Sequence, residues 1–191
     1  MTSRVVVQPT NEQILLADAK DHLRLIDDDD QDDWIERQIP AVREWCENYL
    51  GLSLAPQTRE WTADHLSGEI ELPFGPVTSV YEAEYVDTTG VTQELGDYVT
   101  HYGRLVPSYG YFWPMLRYQP GAVRVRYEAG YGYDGDSPLE YPLPKAIRSA
   151  MLLLLGHFFE NRESTAVVKL EEIPMGIVSL LDPYRVRMSM A

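Results

Sequence analysis

The apolar positions along this chain fall into three regimes: helical spacing, then alternation, then helical spacing again. In residues 13–25, QILLADAKDHLRL, the side chains Leu15, Ala19, His22 and Leu23, followed by Ile26, share one face at helical spacing. Thr10 or Asn11 stands where a cap belongs, with Glu12 and Asp18 in the early part. A second helix is expected from about 32 to 50, where Ile35, Ile39, Val42, Cys46 and Tyr49 form a stripe that Trp34, Trp45 and Leu50 widen. Gly51 suits the position just past its end. Pro40 lies inside the pattern and predicts a kink or a later start.

From Arg59 to Gly130 the period changes to two. The stretches REWTADHL, EIELP, SVYEAEYV, TQEL, DYVTHY and AVRVRYEAG alternate or carry β-favouring residues. Asp87-Thr88-Thr89-Gly90 is a hairpin signal between two of them. VPSYGYFWPMLRYQPG is aromatic and broken by prolines, which predicts a long loop, and GYGYDGDSP predicts another.

Helical spacing returns after Pro142 and Pro144, which suit a first turn. Residues 145–160, KAIRSAMLLLLGHFFE, are apolar nearly all round, as in a helix buried on several sides by its own domain or by other subunits. Asn161 and Arg162 end it. A short apolar turn, IVSLL, is stopped by Asp182-Pro183, and the tail YRVRMSMA has too little apolar content to fold alone. The expected architecture is α+β: a helical bundle of three main helices plus a short C-terminal helix, with a β-rich insertion between the second and third helices. Residues 1–191 are expected to form a single domain, with a helical pair at 12–52, the insertion at 58–130, the apolar helix at 142–163, and the short helix and tail at 175–191.

Composition narrows the classes. At 45% hydrophobic residues the chain has material for a core, and wholesale disorder is excluded. Cys46 is alone, so neither an intrachain disulfide nor a cysteine zinc cage is available. The N-terminal MTSRVVVQPTNEQ lacks an apolar run of signal-peptide length, and the run 150–155 is far below the ~20 residues that span a membrane. The formal net charge of −14 is unevenly spread: residues 1–50 carry 12 acids and 5 bases, residues 142–191 carry 5 acids and 6 bases. An acidic body repels nucleic acid, whereas the C-terminal part suits an acidic partner.

No motif supplies chemistry. The aspartate run IDDDDQDDWI fails as an EF-hand loop, because Asp33 sits where the glycine belongs and Ile39 at the twelfth position. Its reading is a helix start with surplus charge, since carboxylates favour the positive end of a helix dipole. None of His22, His65, His101 and His157 is paired in a metalloprotease pattern, and His157 reads as a hydrogen-bonded core or interface residue. Cys46 reads as a small apolar residue. Glu69 with Glu71 and Glu82 with Glu84 share strand faces and read as solvated. There is no nucleophile elbow, P-loop or dinucleotide fingerprint, and no cofactor is expected.

The order LADAKDHLRLIDDDDQDDWIERQIPAVREWCENYLGLSL, ELPFGPVTSV, VRVRYEAGYG, PLPKAIRSAMLLLLGHFFENRES and IPMGIVSLLDPYRV resembles the head–tail connector (adaptor) proteins of long-tailed bacteriophages and of their prophage and gene-transfer-agent relatives. The resemblance covers roughly residues 14–187, and Pro40 departs from the usual run of small residues. It implies a structural virion protein without enzyme activity, made in the host cytoplasm and located at the head–tail interface. Such proteins form a homo-oligomeric ring, commonly of twelve copies, beneath the portal protein. They extend the DNA channel without sequence-specific binding and present a platform to a stopper or tail-completion protein. Carried onto this chain, the resemblance implies portal contact by Asp182, Pro183, Tyr184, Arg185, Val186 and Arg187. Subunit contact is expected through Met151, Leu154, Leu155, Phe158 and Phe159, and an acidic surface or lumen wall at Asp27, Asp28, Asp29 and Asp30.

Three other readings stand beside this one. A stopper or tail-completion ring is made of the same material. A metal-dependent hydrolase would use the acidic run with His65 or His101. A nucleic-acid-binding module would need a basic face built from Arg104, Arg117, Arg124 and Arg126.

Overall fold

The computed structural model describes residues 2–25, 28–132, 141–161 and 174–186. The chain divides into two compact units, one built from Met1–Thr10 with Ala55–Tyr131 and the other from Asn11–Leu54 with Gly132–Ala191. The expected bundle of three main helices is therefore corrected: among the described residues there are four α-helices and eight strands, and the strands form two antiparallel sheets. The strands have an apolar core of their own, formed around Trp61, Leu72, Leu95, Leu105, Val125 and Tyr127.

In the first unit the strands are β1 (Thr2–Val7), β2 (Gln57–Ala63), β3 (Ile70–Glu71), β4 (Val77–Val86), β5 (Thr92–Glu94), β6 (Tyr98–His101), β7 (Arg104–Pro107) and β8 (Val123–Ala129). The larger sheet has the order β1-β2-β8-β4-β5 and the smaller β3-β7-β6. Strand β8 shows how alternation drives the pairing. Val123, Val125, Tyr127 and Ala129 are buried, while Arg124, Arg126 and Glu128 point to the other face. The Tyr127 hydroxyl donates to the Pro73 carbonyl at 2.6 Å, which satisfies the polar tip of a buried ring. At the β4–β5 hairpin, Asp87 Oδ1 accepts from the Thr89 and Val91 N–H groups, as the Asp-Thr-Thr-Gly signal implies.

The outer face of the larger sheet carries a row of charges in register: Arg4 opposite Glu60, Glu60 opposite Arg126, Arg126 opposite Glu82. Glu60 is only 3% exposed and receives Arg4 Nη2 at 2.7 Å and Arg126 Nε at 3.0 Å, while Arg126 Nη1 reaches Glu82 at 3.1 Å. Burial alone raises the Glu60 carboxyl, but hydrogen bonds and charge from Arg126 and Arg4 outweigh it and hold the group below its ordinary value.

The helical unit contains α1 (Leu16–Leu23), α2 (Asp32–Leu50), α3 (Lys145–Glu160) and α4 (Met175–Leu181), followed by a 3-10 turn at Asp182–Tyr184. Helix α2 runs through Pro40 without a break. Its buried stripe is Ile35, Ile39, Val42, Cys46 and Leu50, and burial pushes the Cys46 thiol up to about 12. Helix α3 packs on α1, α2 and α4, which accounts for its nearly all-round apolar character.

Among the described residues of these helices, Arg43 is the most deeply buried cation. Arg43, with a side chain 3% exposed, holds Glu12 through Nε at 2.9 Å and Glu47 through Nη1 at 2.9 Å. The other Glu47 oxygen accepts the Leu54 N–H at 2.7 Å. Replacing Arg43 with Ala leaves two carboxylates without their cation. It should lower unfolding free energy by about 3–5 kcal/mol, read from the denaturant midpoint. Glu60 gives a separate pH signature. Because its carboxyl is depressed in the folded state, its contribution is present above the ordinary value of 4.5 and is lost as pH falls through the lower folded value. Glu60→Gln should lose stability at neutral pH by about 1.5 kcal/mol or more and melt with a shallower acid dependence than the parent.

Candidate docking surface at the C-terminal segment

The C-terminal segment predicted to meet a partner is held against the end of α2 by polar and aromatic contacts. Gly51 ends α2 in the left-handed region, φ 70°, and donates to the Glu47 carbonyl at 2.8 Å. That turn leaves the Leu50 carbonyl open to the Val186 N–H, which donates to it at 2.8 Å. A Cβ on residue 51 would stand 3.1 Å from the Val186 carbonyl oxygen, so the close approach favours glycine there as the positive φ does. From the residue just before Leu50, the Tyr49 hydroxyl donates to Asp182 Oδ1 at 2.5 Å. The hydrogen bond to Asp182 raises the Tyr49 hydroxyl above its ordinary pKa. The Arg185 guanidinium lies 4.8 Å over the Tyr49 ring, whose other neighbour, Trp45, stacks on it at 5.4 Å and 8°.

These contacts divide the predicted site residues by role. Asp182 and Arg185 fasten the segment to α2, while Pro183 lies in the 3-10 turn. Tyr184 and Val186 are exposed, and Arg187 lies outside the described residues. The residues that receive the segment, Tyr49, Leu50 and Gly51, were not among the expected site residues. Gly51 carried a signal as a helix terminator, but nothing local links Tyr49 to a residue 133 positions away.

The other predicted positions are distributed differently. Met151, Leu154 and Leu155 are 0% exposed, which places them in this unit's core and not on its surface. Phe158 and Phe159 are half-buried, and Phe159 meets Trp34 edge-on at 5.6 Å. Of the acidic run, Asp27 lies outside the described residues. Asp28 accepts the Asp30 N–H at 3.0 Å, and Asp29 and Asp30 are exposed. Lys20, nearly buried on α1, binds Asp29 at 2.5 Å and Asp32 at 2.9 Å, and the hydrogen bonds it donates to these carboxylates raise its pKa. Asp32 and Asp33 lie in the first turn of α2, while the N-cap is Gln31, whose side chain does not cap the helix. The run therefore starts a helix and neutralises a lysine.

The remaining alternatives meet a plain geometry. Among the described residues no three His, Cys, Asp or Glu side chains gather as a metal ion requires, and His65 and His101 are exposed. Arg104 pairs with Glu69, Arg124 with Glu84 and Arg126 with Glu60 and Glu82, so three of the four arginines of the supposed basic face are bound to carboxylates.

Residues 13–85 match the family profile of the phage gp6-like head-tail connector proteins. The match spans 73 of the chain's 191 residues. No curated protein matches it by sequence. Among solved structures, a chain in the neck of an empty GTA particle computed with C6 symmetry has a TM-score of 0.72 at 24% identity, covering 100% of this chain and 99% of that one. A chain of the virion of the native gene transfer agent (GTA) particle has a TM-score of 0.75 at 22% identity, again over 100% and 99%. One in the neck of the native GTA particle computed with C12 symmetry has 0.70 at 22%, with the same coverage. At these identities the likeness establishes the fold.

The fastening at α2 yields a local prediction. Tyr49→Phe removes the bond to Asp182, and Gly51→Ala crowds Val186. Each should speed amide hydrogen exchange at Val186 while leaving the exchange of the α2 core amides near parental values.

Proposed function

We propose that this protein is a head–tail connector, the adaptor of a phage-like particle, located in the virion at the head–tail interface. In this reading its copies form a ring under the portal protein, extend the DNA channel and offer a docking platform to the stopper or tail. The observation that carries the reading is the head-tail connector match over residues 13–85, supported by a fold shared along the full chain with GTA neck components. The charge agrees with it: at −14 the protein repels DNA, as the wall of a conduit must if DNA is to slide. The role needs no chemistry, and the surface arginines Arg104, Arg124 and Arg126 are already engaged with carboxylates.

The portal contact is assigned to the segment from Asp182 to Arg187. Tyr184 and Val186 are exposed there, Arg185 presents a cation, and Arg187 follows in sequence. Particles made without the protein should fail to retain DNA and to join tails. Normal retention and joining would reject the adaptor role. Reversing charge with Arg185→Glu and Arg187→Glu should abolish capture by purified portal protein while circular dichroism matches the parent. Undiminished capture would reject this anchor.

A further inference from the structure

The connection between β7 and β8 displays an unusual surface. Tyr109, Phe112, Met115 and Tyr118 are 108%, 85%, 83% and 104% exposed, and they recur every third residue. Between them the loop is tied down. Trp113 Nε1 donates to the Gly68 carbonyl at 2.7 Å, its ring meets Tyr111 edge-on, and Leu116 packs on the β core. The Arg117 N–H donates to the Val86 carbonyl at 3.0 Å, and the Ser108 N–H to the Asp97 carbonyl at 2.8 Å. Four large apolar groups are thus held outward on an anchored backbone. Preorganisation of this kind lowers the ordering cost of binding, and aromatic and methionine side chains are enriched in interface cores.

Charge identifies the occupant. Residues 105–122 contain one charged side chain, Arg117, and no carboxylate, in a chain with 30 acidic and 16 basic residues. The loop is a neutral to basic island on an acidic protein, and its tyrosine hydroxyls are donors. Elsewhere in the same chain tyrosine hydroxyls donate to carboxylates, from Tyr49 to Asp182 and from Tyr81 to Glu128 at 2.7 Å. The loop fits a surface rich in carboxylates and tolerant of apolar contact. A second copy of this chain, with 30 acidic against 16 basic residues, offers such carboxylates, whereas a basic partner would be repelled by Arg117.

We propose that residues 109–118 dock onto a neighbouring copy of this chain, in a head-to-tail contact between the loop of one copy and an acidic face of the next. Such a contact joins two different patches, the arrangement that closes into rings. The inference rests on the adaptor reading and gives its ring a specific adhesive element.

The test uses full-length protein in assembled particles, with photoreactive benzoylphenylalanine in place of Phe112. Irradiation should produce covalent dimers of this chain. Adducts only with another neck protein, or none although the chain is present in the neck, would overturn the loop assignment and leave the adaptor reading intact. Absence of the chain from the neck would overturn both. A second variant combines Tyr109→Ser, Phe112→Ser, Met115→Ser and Tyr118→Ser, all solvent-facing. It should melt like the parent, yet its incorporation into necks should fall roughly tenfold or more, as expected when interface hot spots are truncated. Parental incorporation of the folded variant would also refute the proposal.

Discussion

The helical unit is organised by the requirement that Arg43 stay paired. A guanidinium cannot be deprotonated to escape burial, so the fold must bring it partners. It takes Glu12, two residues into the segment Asn11–Leu54, and Glu47, which also binds the Leu54 N–H at that segment's other end. One cation therefore fixes both points where the chain enters and leaves this part of the helical unit. Burial lifts the Glu12 carboxyl above its ordinary range even beside Arg43, which shows how far desolvation reaches at that position. With the ends of the segment fixed, α2 presents its apolar stripe to α3 and its terminal turn to the C-terminal segment.

Electrostatics does comparable work in the β unit, but at a surface. The row Arg4, Glu60, Arg126, Glu82 aligns four strands by alternating charge, and a slip of one residue would turn each of these side chains to the apolar face. The same pairing consumes the arginines that a nucleic-acid reader would display. An acidic protein can in this way carry arginines on a sheet without attracting DNA. The neutral aromatic loop between β7 and β8 is the exception on this charged surface.

The helices were legible because their information is local. Periodicity and Gly51 placed α2 at its observed bounds, and the alternation in AVRVRYEAG marked β8. Three features were not legible for one common reason. Strand β1 was not anticipated, since TSRVVV becomes a strand by pairing with β2 more than fifty residues later. Strand β7, only four residues long, overlaps the proline-broken stretch whose composition predicts a loop. The bundle expectation gives the β stretches no core of their own, whereas pairing across the sequence joins them into two sheets around one. At the candidate site, Asp182 to Val186 were singled out in advance, but the Tyr49 and Leu50 contacts that hold them arise from the tertiary fold. The apolar middle of α3 was ambiguous between core and interface, and packing on three helices assigned Met151, Leu154 and Leu155 to the core.

The central claim is that this chain is a subunit of a ring in the neck of a phage-like particle. A cryo-electron-microscopy reconstruction of purified particles, computed without imposed symmetry at the neck, tests it most directly. Multiple copies of this fold should encircle the DNA axis, between the portal and the tail. A neck lacking this fold, or holding it as a single copy off the axis, would contradict it.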